Sequence, residues 1–74
     1  MNKDRRDRIK DTIIILSNCK NDIERIKDDE DDARSNMPEN LETSEKYEQS
    51  EEASDALDDA MSDIQGAIDT LENL

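Results

Sequence analysis

The chain has 74 residues, of which 31% are hydrophobic and 43% charged; 22 acidic against 10 basic side chains leave a formal net charge of −12. One cysteine and no histidine exclude a disulfide scaffold and the usual zinc sites. The apolar run Ile13 to Leu16 is too short to span a membrane or form a signal-peptide core, and the chain lacks the positive surplus that direct nucleic-acid binding needs.

The first predicted element is a helix from about residue 3 to 34. Ile9, Leu16, Ile23, Glu30 and Met37 recur every seven residues, and Thr12, Cys19, Ile26 and Ala33 occupy the position three further on. This is a heptad seam of a and d type, with Ile13 beside it. Asn2 and Asp4 are candidate N-caps. Cys19 falls on that seam, where a free thiol behaves as a small buried hydrophobe. Ile14 and Ile15 point away from the Ile9–Leu16–Ile23 row, because neighbours on a helix differ by about 100°.

Residues 35–42 form the predicted turn. Pro38 cannot continue a helix and biases Met37 toward extended backbone. Thr43 and Ser44 are candidate N-caps for a second helix, from about residue 43 to 73, with acidic side chains at its positive end. In it Leu57, Ile64 and Leu71 repeat every seven residues, as do Ala53, Ala60 and Ala67; Met61 and Ile68 make a flanking row that Tyr47 extends toward the turn. Small residues at each d position let a neighbouring helix approach closely. The short connection implies antiparallel neighbours. The expected fold is therefore all-α: an antiparallel two-helix, coiled-coil-like hairpin forming a single domain over residues 1–74, with a rod roughly 45 Å long.

The turn residues Asn36-Met37-Pro38-Glu39-Asn40-Leu41, followed by Ser44-Glu45-Lys46-Tyr47 and the Ala-Ile/Met-x-x-Ile/Leu repeat of the second helix, resemble a group of small acidic proteins encoded by phages and prophages of Gram-positive bacteria. The resemblance covers most of the chain in register and is distinctive at the turn. It implies a hairpin, a mobile-element origin and a cytoplasmic location, and no established biochemical role. The basic start and the DDEDD run of the first helix depart from the group's pattern.

A chain this small buries only about 60% of the surface its unfolded form exposes, which points to burial beyond one hairpin. The expectation is an antiparallel homodimer forming a four-helix bundle, with Ile14, Ile15, Met61 and Ile68 as candidate interface residues. A complex of one hairpin with a different partner is the alternative.

Charge is distributed unevenly. Residues 1–27 hold eight basic and five acidic side chains, a net of +3, and residues 28–74 hold two basic and seventeen acidic, a net of −15. Folding a hairpin brings Lys3, Arg5, Arg6, Arg8 and Lys10 beside Asp69 and Glu72, so that end is roughly neutral. Residues 18–59 carry sixteen acids and five bases, a net of −11, along about 27 Å of rod. That is about one net charge per 2.5 Å, against one per ~1.7 Å in duplex DNA. Asp28, Asp29, Glu30, Asp31 and Asp32 sit near the negative end of the first helix, where the macrodipole disfavours carboxylates, and Glu30 occupies a seam position.

A charge run is usually a solvated face. This costly placement instead suggests a recognition surface for a basic protein, with nucleic-acid mimicry as its sharpest form. The expected partner-binding residues are Asp28, Asp29, Glu30, Asp31 and Asp32, with Glu45, Glu48, Glu51, Glu52, Asp55, Asp58 and Asp59 on the second helix. The competing class is a structural or assembly adaptor working through Ile14, Ile15, Met61 and Ile68.

Other sites fall away. Asp28, Glu30, Asp32 and Glu39 match positions 1, 3, 5 and 12 of a calcium loop, but Ala33 stands where that loop needs glycine. Di-iron bundles pair Glu with His, which is absent. Cys19 without a histidine neighbour is a poor nucleophile, and two helices alone offer no concave pocket in which a carboxylate pKa could be raised. No enzyme, metal site or cofactor is expected.

Overall fold

The computed structural model describes residues 1–38, 40 and 44–74. Helix α1 spans Lys3–Ser35 and helix α2 spans Glu45–Glu72. Of the candidate caps, Asn2 starts α1, its Oδ1 accepting from Arg5 N at 2.9 Å. Ser44 starts α2, its Oγ accepting from Tyr47 N at 3.3 Å. The other α2 candidate, Thr43, lies outside the described residues, as do Glu39, Leu41 and Glu42.

The helices pack against each other as a hairpin. Lys20 Nζ donates to Gln65 Oε1 at 2.8 Å, and Arg34 Nη1 donates to Ser54 Oγ at 2.8 Å. Residues further along α1 thus meet residues earlier in α2, which fixes the antiparallel sense. The rod measures 60 × 15 × 12 Å, longer than expected because 33 residues of α1 alone rise about 50 Å and the terminal residues extend beyond it.

The phase of the α1 seam differs from the predicted one. The Ile9–Leu16–Ile23–Glu30–Met37 row does face α2, but its companion row is Ile13, Lys20, Lys27 and Arg34, four residues on. Thr12, Cys19, Ile26 and Ala33 are all exposed, Ile26 by 54%. Cys19 is therefore a free, exposed thiol and not a buried hydrophobe. The reason is that lysine and arginine can lay their aliphatic stems along a seam while their cationic heads reach acceptors at its edge. Three of the four companion positions are filled that way. An apolar count cannot see such residues as core.

On α2, Leu57, Ile64 and Leu71 do face α1, and the second row is Tyr47, Ser54, Met61 and Ile68. The alanines flank the seam instead of forming it: Ala53 and Ala60 are half-buried, and Ala67 is exposed. Ile68, at 5% exposure, is the one buried apolar residue among those described. Met61 and Ile68 thus belong to the hairpin's own packing, which corrects their expected role as an outward interface. Ile14 and Ile15 remain outside the seam, each 60% exposed. Among the described residues no helix is long and apolar enough to cross a membrane.

Candidate functional site

Near the turn the seam becomes polar. Ser50 and Ser54 are each only 5% exposed. Arg34 reaches across from α1 and donates through Nη1 to Ser50 O at 3.1 Å, Ser50 Oγ at 3.3 Å and Ser54 Oγ at 2.8 Å. Its Nη2 donates to Asp31 Oδ1 at 2.8 Å, and the Ser54 hydroxyl donates to that same oxygen at 2.6 Å. Lys27 Nζ lies 3.4 Å from Asp31 Oδ2. Asp31 therefore accepts from three donors.

These bonds favour its ionised form. The Ser54 hydroxyl, then the Arg34 guanidinium, and to a lesser degree Lys27 hold the Asp31 carboxyl down at about 2 from an ordinary 3.8, against the opposing effect of desolvation. The same pairing with Asp31 raises the Arg34 pKa. This network went unseen in the sequence. Its available signal was Arg34, a lone cation after the five acids of the DDEDD run, together with a serine pair on the second helix spaced four apart.

The network divides the expected acidic surface. Asp31 is fully engaged and Glu30 is half-buried in the seam, so neither belongs to a free face. Asp28, Asp29, Asp32, Glu45, Glu48, Glu51, Glu52, Asp55, Asp58 and Asp59 are exposed. Helix geometry sorts them further. Residues just after a seam position project to one side of the hairpin on both helices, because α2 runs in reverse. On α2 these include Glu48, Glu51, Asp55 and Asp58; on α1 they include Glu24 and Asp28. A shallow groove of about 300 Å³ on this side, lined by Lys20, Glu24, Asp58, Met61, Ser62 and Gln65, confirms that the two helices share it. Glu45, Glu52 and Asp59 lie on the back of α2 and Asp32 on the back of α1. Asp29 falls on the opposite side from Asp28.

Among the described residues, the turn half of this acidic side has few free cations. Lys27 and Arg34 are turned to Asp31, and Arg25 pairs with Asp22 at 3.1 Å. Among the described residues no cluster of His, Cys, Asp or Glu is arranged to hold a metal ion. The calcium-loop match includes Glu39, which lies outside the described residues; Asp28, Glu30 and Asp32 sit on a continuous helix. The two antiparallel helices leave shallow concavities along their seam. The one at the open end holds about 290 Å³ and is lined by Met1, Ile9, Ile13, Leu71 and Leu74, with Arg6, Lys10 and Glu72 at its rim. It contains no nucleophile beside a base.

Comparison with protein-family models, with curated proteins and with solved structures finds no match to this chain.

Proposed function

We propose that this chain is a non-enzymatic protein-binding module whose acidic side takes a basic protein, in the manner of a nucleic-acid mimic. The observation that carries the reading is the exposed file Glu48, Glu51, Asp55 and Asp58 on α2, joined by Asp28 and Glu24 on α1; Lys20, which shares the groove with Glu24 and Asp58, is held by Gln65 at 2.8 Å. Successive carboxylates three or four residues apart rise about 5 Å along a helix, so lysines and arginines of a target find anionic partners at short, regular steps. Such a surface steers association and makes it fall steeply with salt. The polar layer supports this by drawing Lys27 and Arg34 away from the surface and onto Asp31. The resemblance of the turn to mobile-element proteins supports a host nucleic-acid-binding or defence protein as target, met in the cytoplasm.

The test is capture of basic proteins from a host lysate on immobilised chain. Under this reading, excess duplex DNA displaces the captured protein, and Glu48→Lys with Glu51→Lys, Asp55→Lys and Asp58→Lys abolishes capture while helicity is retained. Capture that survives both treatments would overturn it.

The exposed Ile14 and Ile15 favour a second reading, an assembly adaptor acting through apolar contacts. It predicts that Ile14→Glu with Ile15→Glu abolishes assembly while the four-site charge reversal leaves it intact.

A further inference from the structure

At the open end of the hairpin, where α1 begins and α2 stops, the seam does not close. Ile9, Ile13 and Leu71 are only half-buried there. With Met1 and Leu74, 58% and 72% exposed, they line the hollow of about 290 Å³. Met1 is tethered in place, because Arg6 donates through Nη2 and Nε to Met1 O at 2.8 and 3.2 Å. A second hollow of about 340 Å³ shares Met1 and Ile9 and is otherwise lined by Arg5, Arg8 and Thr12. The two hollows therefore adjoin at Met1 and Ile9.

Charge here runs against the rest of the chain. Acids outnumber bases 22 to 10 over the whole sequence, yet the lining of these hollows holds four cations, Arg5, Arg6, Arg8 and Lys10, and one acid, Glu72. The other acids of this end stand elsewhere. At about 100° per residue, Asp4 and Asp11 project from the back of α1, and Asp7 and Asp69 from the acidic side; none of them lines either hollow. Asp4 reaches Arg8 only at 3.9 Å with both side chains well exposed, and Asp69 accepts from Gln65 at 2.8 Å. Among the described residues Lys10 has no hydrogen-bond or ion-pair partner.

We propose that this cleft binds a medium-chain alkyl carboxylate, its tail in the apolar hollow and its head at the Lys10 rim. Charge complementarity selects the anion: a neutral head leaves Lys10 to water, and a cationic head meets a like charge. Volume selects the length. The hollow holds about ten times the ~30 Å³ that a water molecule takes in the liquid, and a methylene is close to that size, so about eight to ten carbons fit. Apolar walls with a few placed charges are the usual make-up of small-ligand sites, and this volume stands near their ~300 Å³ lower limit. Each methylene that enters tightens binding up to about fourfold. A carboxylate beside an exposed cation gains up to about fivefold over an uncharged head.

The cleft is separate from the carboxylate file of α2, and the inference does not rest on what that file binds. The experiment is a titration of the isotope-labelled full chain with butanoate, hexanoate, octanoate and octanol, each below its aggregation concentration, followed by amide chemical shifts. Octanoate should give saturable shifts centred on Ile9, Ile13 and Leu71, bind more tightly than its shorter homologues, and exceed octanol by about fivefold. Lys10→Gln should cut that margin by about twofold or more and leave octanol binding unchanged. Glu72→Gln should move octanoate the other way by a similar factor, again without affecting octanol. Both substitutions spare the apolar walls and the Arg6 tether, and the spectrum of each variant reports its fold. Absence of saturable shifts at the open end would overturn the proposal. So would equal binding of octanoate and octanol to the wild-type chain, or octanoate binding indifferent to both charge substitutions.

Discussion

Replacing Ser54 with alanine tests the polar layer most directly. The hydroxyl is 5% exposed, accepts from Arg34 at 2.8 Å and donates to Asp31 at 2.6 Å. Hydrogen bonds to charged groups contribute about 1.5–3 kcal/mol each in mutational series. Asp31 keeps its bond to Arg34 at 2.8 Å and its contact with Lys27, so no ion is orphaned and the lower part of that range applies. Alanine's better helix propensity returns up to about 0.5 kcal/mol. The net cost is therefore about 1–2 kcal/mol, which for a domain of this size lowers Tm by roughly 5–15 °C. Thermal unfolding followed by circular dichroism at pH 7 reads it. The pH dependence supplies the sharper check. A carboxyl held below its ordinary value adds stability above about pH 3.8, and that stability is lost as pH falls through about 2. The gap between wild type and Ser54→Ala should accordingly narrow over that interval. A variant that melts within about 2 °C of wild type at pH 7, or a gap that persists unchanged to pH 2, would refute the assigned role of the hydroxyl.

Three further outcomes follow from the same physics. Gly66 lies on the back of α2, and a Cβ there meets nothing within 4 Å; Gly66→Ala should raise stability by about 0.8–1 kcal/mol, visible as a gain of several degrees in Tm. With a net charge of −12, Tm should climb as NaCl rises from about 0.01 to 0.5 M, since the screening length falls from ~30 Å to under 10 Å; a flat salt profile would deny charge crowding. Acidification from pH 7 toward 4 should likewise raise Tm by relieving repulsion, and below that the loss of ionised Asp31 should turn the curve downward. A scan at constant ionic strength would show the maximum.

The hairpin was legible because Pro38 interrupts two stretches that each carry a seven-residue repeat, and neither stretch holds a second breaker strong enough to end a helix. The phase of the repeat was not. α1 contains two apolar rows, Ile9–Leu16–Ile23 and Thr12–Cys19–Ile26–Ala33, and their spacing of three makes them look like the two edges of one seam. In the folded chain the first row takes Ile13, Lys20, Lys27 and Arg34 as its other edge. That choice is made by α2, which offers Gln65, Ser50 and Ser54 as acceptors and donors at the matching heights. A sequence read one helix at a time has no access to this pairing, because hydropathy ranks lysine and arginine as surface whatever acceptor stands opposite.

The same limit applies to the DDEDD run. Five adjacent acids form a block in sequence, but at about 100° per residue a helix spreads them over its whole circumference. Glu30 enters the seam, Asp31 becomes the acceptor of the polar layer, Asp28 and Asp29 take opposite sides, and Asp32 faces the back. Contiguity concentrates charge at one height along the rod and spacing of three and four concentrates it on one side. α2 does the latter over four residues, Glu48, Glu51, Asp55 and Asp58, and α1 adds Glu24 and Asp28. The two arrangements separate experimentally: lysine at Asp29 alone should leave capture of a basic protein intact, whereas lysine at Asp55 alone, at nearly the same height but on the acidic side, should weaken it. Equal loss from both substitutions would mean that the target senses only the summed field of the turn end, and the sidedness of the carboxylates would then carry no recognition.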